Sequence, residues 1–266
     1  MKEIKIIDCH AHVFPDSIAE KAVKNLENYY KMPWSGNGTV GQLKESIKNS
    51  NIFRVIVFST ATKPSQVRSI NSYIAGLCDD RIIGFGTIHP EYRDYKGEIG
   101  RIMSLGLLGI KLHPDFQGFA IDDKRMLPIY SEIEGKMPVL IHMGDENSDN
   151  SSPQRLSRVI EMFPGLVVIA SHLGGYMRWD EAEKYLIGKK IYLDTSSTLC
   201  KLSPQRAGEL ILAHGTEKVL FGTDYPARLH AQELESFMKI SLSNEDRAKI
   251  LSENAMKLFN INNTSN

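Results

Sequence analysis

The stretch Ile4-Lys5-Ile6-Ile7-Asp8-Cys9-His10-Ala11-His12 decides how this chain is read. Ile4, Ile6 and Ile7 form an apolar run that predicts a β-strand, and side chains alternate faces along a strand. Asp8, His10 and His12 therefore share one face, and Cys9 and Ala11 share the other. Two imidazoles spaced by two on one strand can grip one cation together, and imidazole suits zinc, iron, nickel and similar metals. Two satisfied polar histidines would produce the same pattern. The rest of the chain has to decide between these readings.

The chain has 266 residues, room for one large domain or two small ones. Apolar runs recur at 4–8, 54–59, 82–88, 107–112, 139–142, 167–171, 191–194 and 219–222. Most are continuous rather than alternating, as parallel strands buried on both faces should be. Helical spacing fills the gaps, with Leu43 and Ile47 in one segment and Val67, Ile70 and Ile74 in the next. Ser152-Pro153 and Ser203-Pro204 are helix starts, and Gly106, Gly135 and Gly215 stand where helices should end.

Eight β/α units in this length predict an α/β protein, a (β/α)8 TIM barrel forming a single domain over 1–260. A flexible tail is expected at 261–266. The competing architecture is a doubly wound open sheet. It would gather functional residues near one switch point, whereas the candidates here close many different strands. Residues 13–40, which follow strand 1 and carry Trp34-Ser35-Gly36-Asn37-Gly38, read as a partly helical, lid-like insertion.

Composition narrows the function classes. Hydrophobic residues make up 42%, enough for a substantial core, and the formal net charge is zero. That balance argues against a nucleic-acid partner. Cys9, Cys78 and Cys200 are few, odd in number and far apart, which does not resemble a disulfide framework. The N-terminus shows no signal-peptide pattern, and no apolar run approaches the ~20 residues needed to span a bilayer. A cytoplasmic protein without a membrane partner is the expectation.

His142 closes the run 138–142, His172 closes 167–172, and Asp224 closes 219–224. In a barrel such strand ends meet over one mouth. A strand-terminal histidine is by itself an ordinary loop hydrogen-bonder; the signal lies in the co-occurrence.

The set Asp8-Cys9-His10-Ala11-His12, Ile141-His142-Met143-Gly144, Ser171-His172-Leu173-Gly174-Gly175 and Gly222-Thr223-Asp224-Tyr225-Pro226 resembles the amidohydrolase superfamily. The likeness is greatest to the branch containing aminocarboxymuconate semialdehyde decarboxylase and related small metal-dependent hydrolases. Glu253-Asn254-Ala255-Met256-Lys257-Leu258-Phe259 resembles the C-terminal helix of that branch.

The resemblance implies that His10, His12, His142 and Asp224 ligate a divalent metal. Zinc is the first expectation, with one ion favoured over two. Asp224 and His172 would be catalytic: Asp224 as ligand, proton acceptor or both, and His172 as acid/base, oxyanion stabiliser or ligand of a second ion. Zinc lowers the pKa of bound water towards about 7, and a neighbouring carboxylate can take the proton. Lys111 closes strand 4. It would either bind an anionic substrate or, as in binuclear members, be carbamylated to bridge two ions. His113 could stand behind the ligands, and His89 could line the pocket.

Lys111, Arg178, Trp34 and Tyr225 are the candidate substrate-binding residues. Lys63, Tyr176, Trp179 and Arg228 also lie near the expected mouth. Arginine pairs bidentately with carboxylates, although a surface ion pair is the plainer reading of each cation. His214 and His230 read as ordinary surface or loop residues, and Cys9 as core.

The leading functional expectation is a hydrolase that activates water to attack a small-molecule amide, lactone or ester. The alternative is a non-oxidative decarboxylase of a small carboxylic acid. A catalytically silent metal-binding barrel belongs to a different class; the presence of both Asp224 and His172 argues against it. A nuclease is disfavoured by the zero net charge. The expected partner is a small, anionic substrate, and a homodimer is allowed for.

Overall fold

The computed structural model describes residues 5–261. The start of the first expected strand, before Lys5, and the expected tail from 262 on lie outside the described residues. Ile261, placed in that tail by sequence, is buried, and its N–H donates to the Met256 carbonyl.

In chain order the strands are β1 (Ile6–His12), β2 (Ile52–Phe58), β3 (Ile82–Gly84), β4 (Gly86–Thr87), β5 (Ile110–Leu112), β6 (Val139–Ile141), β7 (Val168–Ala170), β8 (Tyr192–Asp194) and β9 (Val219–Leu220). All eight expected strands are present. The third is split at Phe85 into β3 and β4, and β1 runs on to His12. The chain forms two compact groups: residues up to Val57 with those from Thr195 onward, and Phe58–Asp194.

Within Phe58–Asp194, strands β4 to β8 pair in parallel and in sequence order. Gly86 lies opposite Ile110, Ile110 opposite Val139, Val139 opposite Val168, and Ile169 opposite Tyr192. Each step passes through a helix, successively Tyr95–Ser104, Leu127–Ile133, Pro153–Met162 and Trp179–Tyr185. Parallel neighbours require such crossovers. Every residue of β6 and β7 is fully buried, which is why both read as unbroken apolar runs. The register sets Leu112, Ile141 and Ala170 in one row, so His113, His142 and Ser171-His172 emerge together along one edge.

In the other group, β1 and β2 are sheet neighbours. β1 also runs beside 221–225. Cys9 N–H donates to Phe221 O (2.8 Å), Asp224 N–H to His10 O (2.8 Å) and His12 N–H to Tyr225 O (2.6 Å). This pairing carries Asp224 to the two histidines.

The segment 13–40 contains the helix Asp16–Tyr30, which ends on Lys31 in the left-handed region. Its continuation is tied to the turn after Asp224, with Ser35 N–H on Ala227 O and Gly36 N–H on Pro226 O. Thr39 caps the next helix, Val40–Asn49, by accepting from Gln42 N–H, and Leu43 and Ile47 are its buried face. Among the described residues no helix is long and apolar enough to cross a membrane.

Candidate active site

His10, His12 and Asp224 form a compact donor set. The Nε2 atoms of His10 and His12 are 3.3 Å apart, and Asp224 Oδ1 lies 3.2 Å from the first and 3.4 Å from the second. The His10 side chain is fully buried, and the other two are about seven-eighths buried. The geometry suits a cation. A tetrahedral ion with bonds of about 2.0–2.1 Å spaces its donors by about 3.3 Å. With both Nε2 atoms unprotonated, two imidazoles and a carboxylate would converge lone pairs on one point, which a positive charge relieves.

Asp8 braces the backbone at His10 and just before Asp224. Asp8 Oδ1 accepts the N–H groups of His10 (2.9 Å) and Thr223 (3.0 Å), and Oδ2 accepts the Thr223 hydroxyl (2.6 Å). His230 Nε2 stands 3.0 Å from Asp8 Oδ2, and its Nδ1 is 2.8 Å from Ser46 Oγ. Asp8 and His230 are both fully buried. His230, which reads from sequence as a surface or loop residue, is instead buried at the start of the helix His230–Met238, and nothing near it in sequence marks its partner. His214 is corrected in the same way, being 6% exposed.

Asp224 itself has φ 60°, in the left-handed region that non-glycine residues avoid. Such strain costs about 1–3 kcal/mol and is held by surrounding structure, often at functional sites. His172 (φ 60°) and Ser197 (φ 47°) share the feature.

In the Phe58–Asp194 group, His142 and His172 are joined, with His172 Nε2 2.9 Å from His142 Nδ1. His172 N–H donates to Asp194 Oδ1, and the Trp179 indole N–H donates to His172 O. His142 Nε2 lies 3.0 Å from Gly144 O and 4.0 Å from Asp115 Oδ2. The His113 ring stacks on His142 at 3.9 Å between centroids. His113, Asp115 and His142 bring donor atoms within 4.8 Å of one another, a second group able to hold a cation. Burial pushes the Asp115 carboxyl above its usual range, although the Ser151 hydroxyl donates to it at 2.6 Å. Asp115 was not anticipated from sequence; its position two residues after His113 was the available signal.

The candidate substrate residues have varied surroundings. Lys111 is fully buried, with Nζ 4.8 Å from the centre of the Phe58 ring. Arg178 pairs with Asp149 (3.1 Å) and Glu181 (2.8 Å). Tyr225 is fully buried, and its hydroxyl donates to Thr39 O at 2.9 Å. Trp34 stacks on Tyr30. His89 is buried, which lowers its pKa, and its Nδ1 accepts from Glu91 N–H. Arg228 is 3.3 Å from Glu233, a buried carboxyl that desolvation pushes up to about 8.

The amidohydrolase family profile matches residues 7–261. No curated protein matches the chain. Among solved structures, the chain is similar to an uncharacterised TIM-barrel protein from Bordetella bronchiseptica, at 20% identity and TM-score 0.75, covering 96% of this chain and 98% of that one. It is also similar to a dihydroxybenzoic acid decarboxylase from Polaromonas, solved with manganese and the inhibitor 2-nitroresorcinol (17% identity, TM-score 0.72, 98% of each chain). A probable 2-pyrone-4,6-dicarboxylic acid hydrolase from Acinetobacter baumannii with citric acid bound is a third (17%, TM-score 0.68, 96% of this chain and 99% of that one). These likenesses establish the fold as the (β/α)8 TIM barrel and set aside the open sheet.

Proposed function

The chain belongs to the amidohydrolase family, and we propose that it is a metal-dependent decarboxylase that replaces the carboxylate of a small acid with a proton. The observation that carries this reading is the convergence of His10 Nε2, His12 Nε2 and Asp224 Oδ1, in a fold shared with a manganese-bound decarboxylase. The sequence alone favoured hydrolysis; that likeness supports the alternative. Zinc and manganese are the candidate ions.

His10, His12 and Asp224 would hold a divalent ion, whose positive charge would favour an anionic substrate and offset charge developing on its oxygens. The remaining requirements fall to the chain itself. When the bond between the substrate carbon and its carboxylate breaks, the electron pair stays on that carbon and carbon dioxide leaves. A proton must then reach the carbon. His172 is the proposed proton carrier, with its ring oriented by His142 and its backbone by Asp194. Asp224 presents Oδ1 to the histidines while Ser197 holds Oδ2. Lys111 and Arg178 are the proposed cations for a substrate carboxylate, and Trp34 and Tyr225 the proposed flat surfaces.

The likeness to the pyrone dicarboxylic acid hydrolase supports a second reading, opening of a lactone by water. One experiment separates the two. The purified protein, loaded with zinc or manganese, is incubated with a panel of hydroxybenzoates and with pyrone carboxylates. Carbon dioxide release from the first set supports decarboxylation; ring opening with no carbon dioxide supports hydrolysis. Neither activity, or activity that persists in His10→Ala, defeats the metal-enzyme reading.

A further inference from the structure

Ser196 and Ser197 follow β8 and Thr195, and their hydroxyls reach two different members of the donor set. Ser196 Oγ is 3.0 Å from His10 Nδ1, the ring nitrogen facing away from His12 and Asp224. Ser197 Oγ donates to Asp224 Oδ2 at 2.5 Å, the carboxylate oxygen opposite the one that faces the histidines. Both serines are buried.

Their loop is fixed. The Thr195 hydroxyl accepts Gly222 N–H (3.1 Å), and the Thr198 hydroxyl donates to Ser196 O (3.1 Å). Ser197 is held in the left-handed region at φ 47°. Gly222 permits the close approach: a Cβ there would come within 2.9 Å of His10 Cβ and 3.2 Å of Ser196 Cβ.

We propose that Ser196 and Ser197 act as a paired positioning clamp that sets which atom of each ligand is offered to the metal. Ser196 accepts a proton held on His10 Nδ1, which leaves the Nε2 lone pair for the ion. Ser197 occupies Asp224 Oδ2, which restricts that carboxylate to ligation through Oδ1. Partners behind ligands commonly fix tautomer and orientation, and their loss typically costs about 10–100-fold in metal affinity or activity. The proposal rests on the metal reading above.

Two measurements test it. The first is long-range 15N–1H NMR of the His10 ring in metal-free protein, which needs neither metal nor substrate. The expected result is the Nδ1–H tautomer in the wild type and a shift towards Nε2–H in Ser196→Ala. A wild-type ring protonated on Nε2 overturns the Ser196 role even if no variant folds.

The second is titration with cobalt(II), followed by visible absorption, of wild type, Ser196→Ala and Ser197→Gly. Glycine keeps the left-handed backbone accessible while removing the hydroxyl. Each variant should bind cobalt(II) about 10–100-fold more weakly, and Ser197→Gly should also alter the absorption bands as Oδ2 is released. Wild-type affinity and spectrum in both folded variants overturn the clamp while leaving the metal reading intact. A wild-type protein that binds no cobalt(II) overturns the metal reading itself, and the clamp falls with it.

Discussion

Asp8 and His230 come from opposite ends of the chain and face each other at 3.0 Å, with neither side chain exposed to solvent. The contact ties the strand that carries His10 and His12 to the helix His230–Met238. Through Thr223, the same carboxylate fixes the backbone just before Asp224.

Truncating His230 removes the contact at Asp8 Oδ2 and the partner of the Ser46 hydroxyl, and a buried polar group left unmet costs about 1–3 kcal/mol. His230→Ala is therefore expected to lower the free energy of unfolding by that amount in urea titration. Metal affinity should weaken as well, because Asp8 also holds the backbone N–H groups of His10 and Thr223. A variant as stable as the wild type would show that the Asp8–His230 pair adds nothing to stability.

His10→Ala and Asp224→Ala should each abolish binding of the ion at the donor set, as read by elemental analysis after purification without chelator. His172→Asn should keep its metal and lose turnover by roughly a hundredfold or more, the range for proton-transfer residues. Full activity in His172→Asn would remove that side chain from the chemistry. Retention of the full metal complement in His10→Ala would show that the donor set is not where the ion sits.

These outcomes bear on residues of very different legibility. The strands were readable because β6 and β7 are buried on both faces, so that nearly every position had to be apolar. His10 and His12 were readable because a two-residue period puts both on one face, and Asp224 because it closes an apolar run. His230 was not readable. Its partner Asp8 is brought to it only by tertiary packing, and no local period encodes that contact. Ser196 and Ser197 lie in the polar run Thr195-Ser196-Ser197-Thr198, which in sequence is no different from a surface turn. Phe85 splits the third strand between Gly84 and Gly86; glycine inside a strand pattern marks such a break, but the apolar residues around it read as one continuous run.

Gly144 tests how tightly the loop after β6 is packed. Its φ is 79°, and a Cβ there would come within 2.6 Å of Tyr176 N, a backbone atom that no side-chain rotation can move. Gly188 has a similar φ of 78° with nothing within 4 Å. Alanine at 188 should thus cost only the left-handed strain, about 1–2 kcal/mol. Alanine at 144 should cost about 3 kcal/mol or more, because overpacking adds to that strain. Urea midpoints measure both; equal losses would mean that the loop gives way without penalty.

Glu233 supplies the pH prediction. Burial raises its carboxyl from the ordinary glutamate value of 4.5 to about 8, more than Arg228 lowers it. Between these two values the folded protein keeps a proton that the unfolded chain has lost. Stability attributable to this group must then fall as pH rises from about 4.5 to about 8 and level off above, because stability declines wherever the native state binds more protons. Glu233→Gln keeps the shape, cannot ionise, and should flatten that decline. At pH 8 the variant should be the more stable protein by at least about 1 kcal/mol, a rise in melting temperature of roughly 2–4 °C. At pH 5, where the native carboxyl is already neutral, the advantage should shrink. A melting temperature that falls with pH equally in both proteins would place the titrating group elsewhere, and a variant less stable at pH 8 would mean that the ionised Glu233–Arg228 pair is the form the fold prefers.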